Sequence, residues 1–236
     1  MENKNIIIAV VIIVVLLLVG IIVIKEKEGK KEVEVKEELL KINYDVDGNE
    51  TELNYDTENP VVALYVKNYG SIVIELYPEF AENTVKNYIS LVKKGFYDNN
   101  TFHRLVPGFV LQGGDPKGTG AGGPGYSIKG EFIDNGYEQN TLSHEKGIVS
   151  MARNSISYDS AGSQFFICIG DAKSLDNQYA AFGKVIDGWD NIEKIVENEQ
   201  VADTTSGKLR TNLTIKKALV DTKGKEYPEP EKIEEQ

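Results

Sequence analysis

From residue 60 onward the sequence consists of short β-branched and aromatic runs, each bounded by Gly, Asp or Asn, and this spacing constrains the fold most. Runs of this length and composition predict strands. The predicted strands are Val61–Val66, Ser71–Leu76, Thr101–Gln112, Gly147–Met151, Gln164–Ile169, Ala180–Ile186 and Leu213–Val220. Two helices accompany them, Glu82–Lys94 with apolar residues at helical spacing and the shorter Asn191–Glu197. Many short strands with few helices indicate a closed barrel or a sandwich, and both remain open at this point.

The N-terminal segment Ile6–Ile24 contains nineteen residues, all of them apolar except Gly20. A helix of this length spans about 30 Å, the hydrocarbon thickness of a bilayer, so the segment predicts a membrane anchor. A cleaved signal peptide is one alternative, but the apolar run continues directly into Lys25 without a small-residue cleavage site. A buried core helix is another, which the terminal position disfavours. No cysteine directly follows the segment, and this excludes a lipoprotein.

Two opposing signals bear on the side of the membrane that the large domain occupies. The positive-inside rule finds one lysine before the apolar segment and four shortly after it, which favours a cytoplasmic domain. An apolar segment this close to the N-terminus is instead typical of export signals, and large domains cross membranes largely regardless of charge. We therefore expect a single-pass protein of the cell membrane with an extracytoplasmic domain.

The charge distribution divides the remaining chain into three parts. After the N-terminal tail and anchor, 1–24, a stretch over 25–58 has six Lys against twelve Asp and Glu, which predicts a solvated helix or a spacer. The globular domain is expected over 59–222, and an acidic tail over 223–236, which holds two of the seven prolines, is expected to be disordered. The net charge of −11 argues against sequence-independent nucleic-acid binding, because such binding requires clustered Lys and Arg.

Three classes of site are disfavoured by residue counts and context. The single cysteine, Cys168, excludes an internal disulfide, and with only two histidines neither a metal nor a cofactor is expected. The glycine-rich stretch 113–125 contains G-x-G-x-x-G at Gly118–Gly123, but a proline follows at once and no helical pattern comes after, so dinucleotide binding is not predicted. A Ser-His-Asp triad that uses His103 or His144 lacks the G-x-S-x-G turn that exposes a nucleophile.

The most informative segment is Phe102–Asp115, FHRLVPGFVLQGGD, which places one arginine and one glutamine among apolar residues. On a strand alternate residues share a face, so Arg104 and Gln112, eight apart, point the same way if no bulge intervenes. A second segment, Ser163–Cys168, repeats the combination of a polar amide, Gln164, with aromatic residues. One such segment alone suggests a surface arginine above a buried aromatic cluster. Two in one chain favour a functional site.

These segments resemble the cyclophilin family of peptidyl-prolyl isomerases. FHRLVPGFVLQGGD is similar to the family signature almost residue for residue, SMARNSISYDSAGSQFFI to its second active-site block, and Ala180–Val185 to its VFGKV strand. The resemblance covers about residues 59–222 and implies a mainly β fold, a closed eight-stranded antiparallel barrel capped by helices. It also implies cis-trans isomerisation of X–Pro bonds in proline-containing polypeptides, in aid of protein folding and without a cofactor.

The resemblance also implies roles for individual residues. Arg104 would be the catalytic cation, since arginine stays charged at any relevant pH. The implied substrate-binding residues are His103, Phe109, Val110, Gln112, Arg153, Gln164, Phe166, Leu175 and Tyr179. The apolar residues among them would hold the proline ring, with Phe182 packed beneath, and the two glutamines would orient the substrate backbone and the arginine. The backbone near Arg153 would bind a substrate group, and His103 would support the edge of the site.

Two positions depart from the pattern of many family members. Ser174 stands where an aromatic residue, often Trp, is common, and Tyr179 stands where many eukaryotic members have His. The first departure weakens the expected binding of the immunosuppressant cyclosporin. An alternative function is a module that binds proline segments with little turnover. A pure binder need not keep the set Arg104, Phe109, Gln112 and Phe166, and its presence favours the isomerase.

Overall fold

The computed structural model describes residues 22–27, 30–35, 42–44, 50–52 and 55–234. Near the N-terminus, strands β1 (Ile22–Lys27) and β2 (Lys30–Val35) form an antiparallel hairpin. Farther along, β3 (Ile42–Tyr44) pairs with β4 (Glu50–Glu52). The alternation of valine with glutamate in β2 has the period of two that favours a strand. At these positions the chain forms strands and not the solvated helix, while the role of residues 25–58 as a spacer stays a prediction.

The membrane helix predicted over Ile6–Ile24 lies outside the described residues, apart from its last three positions. Those positions, Ile22–Ile24, belong to β1 and not to a helix. Among the residues that the structure describes, no helix combines the length and the apolar character that a bilayer crossing requires.

The domain that follows is built on a closed β-barrel. Its eight strands are β5 (Val61–Val66), β6 (Gly70–Leu76), β7 (Thr101–Val106), β8 (Val110–Gly113), β10 (Ile148–Met151), β11 (Phe165–Cys168), β12 (Ala181–Asp187) and β14 (Lys208–Asp221). Neighbouring strands follow the order β14, β5, β6, β12, β10, β11, β8 and β7. The ring is closed because β7 also pairs with β14. All these pairs are antiparallel, which confirms the barrel that the resemblance implied.

The long strand β14 closes the barrel because its two parts have different partners. Its C-terminal part pairs with β5, from Ile215 opposite Val66 to Asp221 opposite Val61. Its N-terminal part pairs with β7, where Leu213 lies opposite Phe102. After residue 60, three short strands lie outside this ring: β9 (Tyr126–Ser127), β13 (Val201–Asp203), which pairs with β14, and β15 (Ile233–Glu234), which pairs with β9.

Two helices accompany the barrel, α1 (Glu82–Lys93) and α2 (Trp189–Asn198), close to the predicted bounds. The apolar face of α1 belongs to the main core, as its helical spacing predicted. At its N-terminus the buried Glu131 carboxylate accepts hydrogen bonds from the backbone N–H groups of Asn83 (2.9 Å) and Thr84 (2.7 Å), which otherwise have no partner in the first turn. Beyond α1, Gly95 has a φ of +69°, a conformation in which glycine is the favoured residue.

Aromatic side chains fill the space between α1 and the strands. Five of them are fully buried: Tyr88, Tyr97, Phe102, Phe165 and Phe182. The Tyr88 ring lies 4.9 Å from the Phe182 ring and 5.4 Å from the Phe165 ring, measured between centroids. Since successive side chains of a strand point to opposite faces, the neighbours of these inward residues face the outer wall. The fold therefore places a separate apolar cluster outside the barrel.

The strands β7 and β8 correct the prediction that Thr101–Gln112 forms a single strand. The chain reverses at Pro107 and Gly108, where Gly108 has a φ of +72° and the Phe109 N–H donates to the Val106 carbonyl oxygen (2.9 Å). Proline and glycine in sequence are a turn signal that the apolar residues around them obscured. Arg104 and Gln112 do share a face, but as opposite residues of a hairpin.

The C-terminal tail, which we expected to be disordered, lies on the domain surface as far as residue 234. Glu231 exchanges two hydrogen bonds with the Asn83 side chain, through its N–H (2.8 Å) and its carbonyl oxygen (3.0 Å). Glu229 pairs with Lys94 at 2.6 Å, and Pro230 is buried. The tail is thus held by backbone hydrogen bonds at the N-terminal end of α1 and by an ion pair just after its C-terminal end, and no local sequence pattern reveals these contacts.

We expect removal of residues 226–236 to lower the stability of the domain, because Tyr227 and Pro230 lose their packing. The cost is about 2 kcal/mol, equivalent to a fall in Tm of about 4–8 °C in a domain of this size. Thermal unfolding followed by circular dichroism measures it.

Lys94→Glu and Glu229→Lys should each lower Tm, and the double exchange should restore part of the loss. Lys93→Glu, the same change one residue away, is the control. An unchanged Tm after truncation would show that the tail contributes no stability.

Candidate active site

A continuous chain of hydrogen bonds joins β7, β8 and the residue before β11 on one face of the barrel. Arg104 Nη1 donates to Gln112 Oε1 (3.1 Å), and Gln112 Nε2 donates to Gln164 Oε1 (3.0 Å). Gln164 Nε2 donates in turn to the carbonyl oxygens of Gly120 (3.0 Å) and Gly122 (2.9 Å). The structure thus brings together the arginine and the two glutamines from the two predicted segments, and connects them with the glycine-rich stretch.

The direction of this chain follows from its charged end. A guanidinium group only donates hydrogen bonds, so Gln112 must present its oxygen to Arg104 and its nitrogen to Gln164. Gln164 must then present its nitrogen to the glycine carbonyls. Each amide has one orientation that satisfies every partner. The donors and acceptors that a ligand meets on this face are therefore defined in advance.

Arg104 is held at a second point by Ser206, whose carbonyl oxygen accepts from Nε at 2.8 Å. Partial burial lowers the pKa of Arg104, a change that the nearby Tyr179 opposes. Because the ordinary pKa of arginine is above 12, the group remains a cation. The two hydrogen bonds use two of its five N–H donors and leave the others for a bound molecule. Ser206 was not predicted, since it lies far from both motifs in the sequence.

Beside the arginine lies an apolar pocket, the cluster on the outer wall. It consists of the buried residues Val110, Ile148, Phe166, Cys168, Ala172 and Ala181, with the partly buried Phe109, Leu142, Ala152, Leu175 and Tyr179 around them. The Phe166 and Tyr179 rings meet edge to face with centroids 5.8 Å apart. The four residues that we expected to hold a proline ring, Phe109, Val110, Phe166 and Leu175, therefore lie in one cluster, together with Tyr179. Phe109, Leu175 and Tyr179 form its accessible part.

Phe182 differs from the prediction that it packs beneath this pocket. It belongs to the aromatic cluster inside the barrel, where it contacts Tyr88. Its neighbour Ala181 belongs to the outer cluster instead. The alternation along β12 assigns the two residues to opposite faces. The resemblance placed the correct strand behind the pocket, but the wrong residue of that strand.

A cleft of about 290 Å³ lies next to the two glutamines. One side is the glycine-rich stretch, and the other is Ala152–Asn154. That the backbone near Arg153 binds a substrate group stays a prediction. The Arg153 side chain stacks on the rings of Tyr158 (4.8 Å) and Tyr179 (4.6 Å) and donates to the carbonyl oxygens of Gln178 and Asn154. Arg153 thereby connects the wall of this cleft with Tyr179 of the apolar pocket.

Asp115 organises the glycine-rich stretch from below. Its side chain is buried and accepts hydrogen bonds from the backbone N–H groups of Lys117 (2.7 Å), Thr119 (2.8 Å) and Gly120 (2.6 Å). Burial alone would raise the pKa of Asp115, but these backbone donors outweigh it and hold the pKa below its ordinary value. A Cβ atom on Gly122 would lie only 1.9 Å from Asp115 Oδ1, which explains the glycine there. Asp115 is the last residue of the segment FHRLVPGFVLQGGD, and no role was predicted for it.

His103 is buried beneath the same stretch and does not reach the surface of the pocket. A Cβ atom on Gly120 would lie 3.9 Å from its Nε2. Burial lowers the pKa of His103, and the neighbouring Asp115 carboxylate opposes this change only in part. The lowered pKa favours a neutral imidazole, and the role of His103 at the edge of the site stays a prediction. Among the described residues, no group of three His, Cys, Asp or Glu side chains could hold a metal ion.

The barrel with its arginine and outer pocket belongs to a known class of enzyme. A family model for the cyclophilin type peptidyl-prolyl cis-trans isomerases matches residues 61–220. Peptidyl-prolyl cis-trans isomerase B of Bacillus subtilis is 50% identical over 119 residues, which cover 50% of this chain and 78% of that protein. A peptidyl-prolyl cis-trans isomerase of Helicobacter pylori is 41% identical over 134 residues, which cover 56% of this chain and 78% of that protein.

A solved structure is also similar to this chain. It is a cyclophilin type peptidyl-prolyl cis-trans isomerase of Cryptosporidium parvum, determined in the presence of the dipeptide Ala-Pro. It has a TM-score of 0.59 and 34% sequence identity, and the match covers 68% of this chain and 98% of that one. The chain therefore belongs to the cyclophilin-type family and is a peptidyl-prolyl cis-trans isomerase.

We expect Asp115→Asn to destabilise the domain by about 1–3 kcal/mol at neutral pH, because the new Nδ2 group faces backbone donors. The folded state holds the pKa of Asp115 below its unfolded value of about 3.9. The carboxylate therefore stabilises the fold above that pH, and this contribution is lost as the pH falls through the folded pKa. Urea unfolding from pH 7 to pH 3 should show a stability difference that narrows below about pH 4. The exposed Asp171→Asn is the control, and a difference independent of pH would contradict this role.

Proposed function

We propose that Arg104 is the catalytic residue and that it promotes rotation about an X–Pro bond held in the apolar pocket. Support comes from one arrangement: a guanidinium group, fixed by Gln112 and Ser206, lies beside the cluster that contains Phe109 and Phe166. Such a site combines a cation of defined direction with a surface that suits a proline ring.

The reaction sets a limited demand on the protein. Rotation about an X–Pro bond has a barrier of about 18–20 kcal/mol, because amide resonance must be broken. No covalent bond is made or broken, so the enzyme needs only to bind the twisted state better than the planar ones. In the twisted state the prolyl nitrogen becomes pyramidal and gains a lone pair. An N–H donor of Arg104 stabilises this lone pair and thus favours the loss of conjugation.

Each neighbouring group has a part in holding the substrate. Phe109, Val110, Phe166, Leu175 and Tyr179 contact the proline ring while the acyl side turns. Gln112 and Gln164 bind the substrate backbone, and Ala152–Asn154 offers backbone groups to the residues that precede proline. The substrates are proline-containing polypeptides, in keeping with the dipeptide Ala-Pro used with the relative from Cryptosporidium parvum. Since slow X–Pro isomerisation limits the folding of many chains, the activity assists protein folding.

We expect Arg104→Ala to lower kcat/KM for a proline-containing tetrapeptide by about 10²–10³-fold, because the twisted state loses its charged donor. Arg104→Lys should restore only part of the rate, since an ammonium group cannot reproduce the fork that donates to Gln112 and Ser206. A protease-free NMR exchange assay measures the rate. Arg210→Ala, which removes an exposed arginine, is the control.

The same variant tests the alternative function, a module that binds proline segments with little turnover. If Arg104→Ala retained the wild-type rate, the mechanism would be refuted. If the wild type itself accelerated exchange negligibly and yet bound the peptide, the binding module would be the better description. The full set of pocket and hydrogen-bonding residues supports the enzyme.

We also propose that Ile6–Ile24 anchors the protein in the cell membrane, with the domain on the extracytoplasmic side. The length and apolar composition of the segment support this proposal. The full chain should remain with membranes after carbonate extraction, and a chain without residues 1–24 should be released. Protease added to intact cells should degrade the domain. Protection until lysis would refute the orientation, and release of the full chain would refute the anchor.

We propose that cyclosporin binds weakly, because Ser174 offers little apolar surface at the rim of the pocket. Ser174 is exposed in the short helical turn Lys173–Leu175. Ser174→Trp adds a large apolar surface beside Leu175, and we expect it to raise cyclosporin affinity about tenfold. Isothermal titration calorimetry measures both proteins, with Ser174→Ala as the control. Tight binding by the wild type, unchanged in the tryptophan variant, would contradict the proposal.

A further inference from the structure

A second hydrogen-bonded chain lies behind the apolar pocket and centres on His144. Its Nδ1 is 2.9 Å from Asp176 Oδ1, and its Nε2 is 3.0 Å from the Ser150 hydroxyl oxygen. The ring of His144 and the whole of Ser150 have no exposed surface. A Ser-His-Asp triad that uses His144 was not predicted, because the sequence lacks a G-x-S-x-G turn. The structure nevertheless connects a serine, a histidine and an aspartate in that order.

The direction of these hydrogen bonds follows from the chemistry of Asp176. An ionised carboxylate only accepts, so Nδ1 of His144 carries the proton and donates it to Asp176. In a neutral imidazole Nε2 then accepts, and Ser150 must donate its hydroxyl hydrogen. Burial lowers the pKa of His144 despite the opposing effect of Asp176, which favours the neutral ring. Asp176 stays ionised, since its donors include the His144 backbone N–H (2.7 Å) and the Ser143 hydroxyl (2.8 Å).

This arrangement is unsuited to nucleophilic catalysis. A catalytic serine needs an exposed oxygen that reaches its substrate, and Ser150 is fully buried in β10. Neither water nor a polypeptide reaches it in the folded domain. Ser150, His144 and Asp176 satisfy one another's hydrogen-bonding groups. A set of buried polar groups that is only partly satisfied would destabilise the core.

The neighbours of the chain are the walls of the proline pocket. The His144 ring stacks on Phe166, with centroids 5.9 Å apart and planes inclined by 24°. Asp176 directly follows the turn Lys173–Leu175, which carries Leu175 into the pocket. The Ala172 N–H, just before that turn, donates to the His144 carbonyl oxygen (2.8 Å). His144 therefore contacts the floor of the pocket through its ring. Its hydrogen bonds to Ala172 and Asp176 hold the two ends of the turn at the rim.

We propose that His144, Ser150 and Asp176 are positioning residues that set the distance between Phe166 and Leu175 and thereby the affinity for the proline ring. This inference rests on the proposed function of the pocket. Ser150 fixes the imidazole from the barrel side, and Asp176 connects the imidazole to the turn. Arg104 is not part of the chain, so loss of the chain should affect substrate binding more than the rotation step.

The first measurement concerns the histidine and does not depend on activity. Long-range proton–nitrogen NMR on the ¹⁵N-labelled domain distinguishes the two neutral tautomers and the imidazolium form of His144. We expect the Nδ1–H tautomer at pH 7. The Nε2–H tautomer or an imidazolium would contradict the hydrogen-bond directions and overturn the proposal, whatever the isomerase activity.

The second measurement compares variants at a temperature well below their Tm. Ser150→Ala and Asp176→Ala should each weaken the binding of a proline-containing tetrapeptide, followed by NMR titration, by about three- to tenfold. We expect kcat to change by less than the Kd. Asp176→Asn keeps an oxygen acceptor for Nδ1–H and should restore most of the affinity. Thr84→Val is the control, since it removes a buried hydroxyl that donates to Glu131 (2.7 Å) away from the pocket.

The outcomes separate this proposal from the proposed function. If Tm fell in all variants while the peptide affinity of Ser150→Ala and Asp176→Ala stayed unchanged, the role of the chain would be merely structural. The positioning role would then be refuted. Equal loss of affinity in Thr84→Val would refute it too. Failure of Arg104→Ala to reduce the rate would refute the catalytic assignment of Arg104 and leave the effect on peptide affinity standing.

Discussion

The active face depends on one constraint, the inability of the Arg104 guanidinium to accept a hydrogen bond. From this single charge the orientations of Gln112 and Gln164 follow, and the last amide holds the carbonyl oxygens of the glycine-rich stretch. On the buried side, the Asp115 carboxylate accepts hydrogen bonds from backbone N–H groups of the same stretch. The wall of the cleft is thus held through both its carbonyl oxygens and its N–H groups, and in the proposed site these polar groups would need little reorganisation when a substrate binds.

The apolar part of the site depends on alternation along the strands. Phe165 and Phe166 are adjacent in β11, yet one packs inside the barrel and the other forms the floor of the pocket. Ala181 and Phe182 divide in the same way in β12. The interior cluster therefore makes the barrel rigid, and its strands present a second, smaller cluster outward. The proposed pocket thus lies on a wall that is packed from behind, which is the support that a binding site of defined geometry needs.

Local patterns predicted much of this arrangement, and long-range contacts account for what they missed. The strand runs, the helix Glu82–Lys94 and the two motifs identified the barrel and the residues around Arg104, because periodicity and turn residues act over a few positions. Ser206 and Asp176 were missed as partners because their contacts join distant parts of the chain. The ordered tail was missed for a similar reason, since composition describes an isolated segment and not the α1 surface that binds it.

The filled interior of the barrel bears on which parts of a polypeptide can reach the proposed site. Tyr88, Phe165 and Phe182 occupy the space that a hollow barrel would offer to a ligand, and the proposed site lies on the outer wall instead. A polypeptide can approach such a surface sideways, at any interior proline, without threading an end through an opening. Loops that are tethered at both ends within a larger, partly folded chain are thus as accessible in geometry as free peptides.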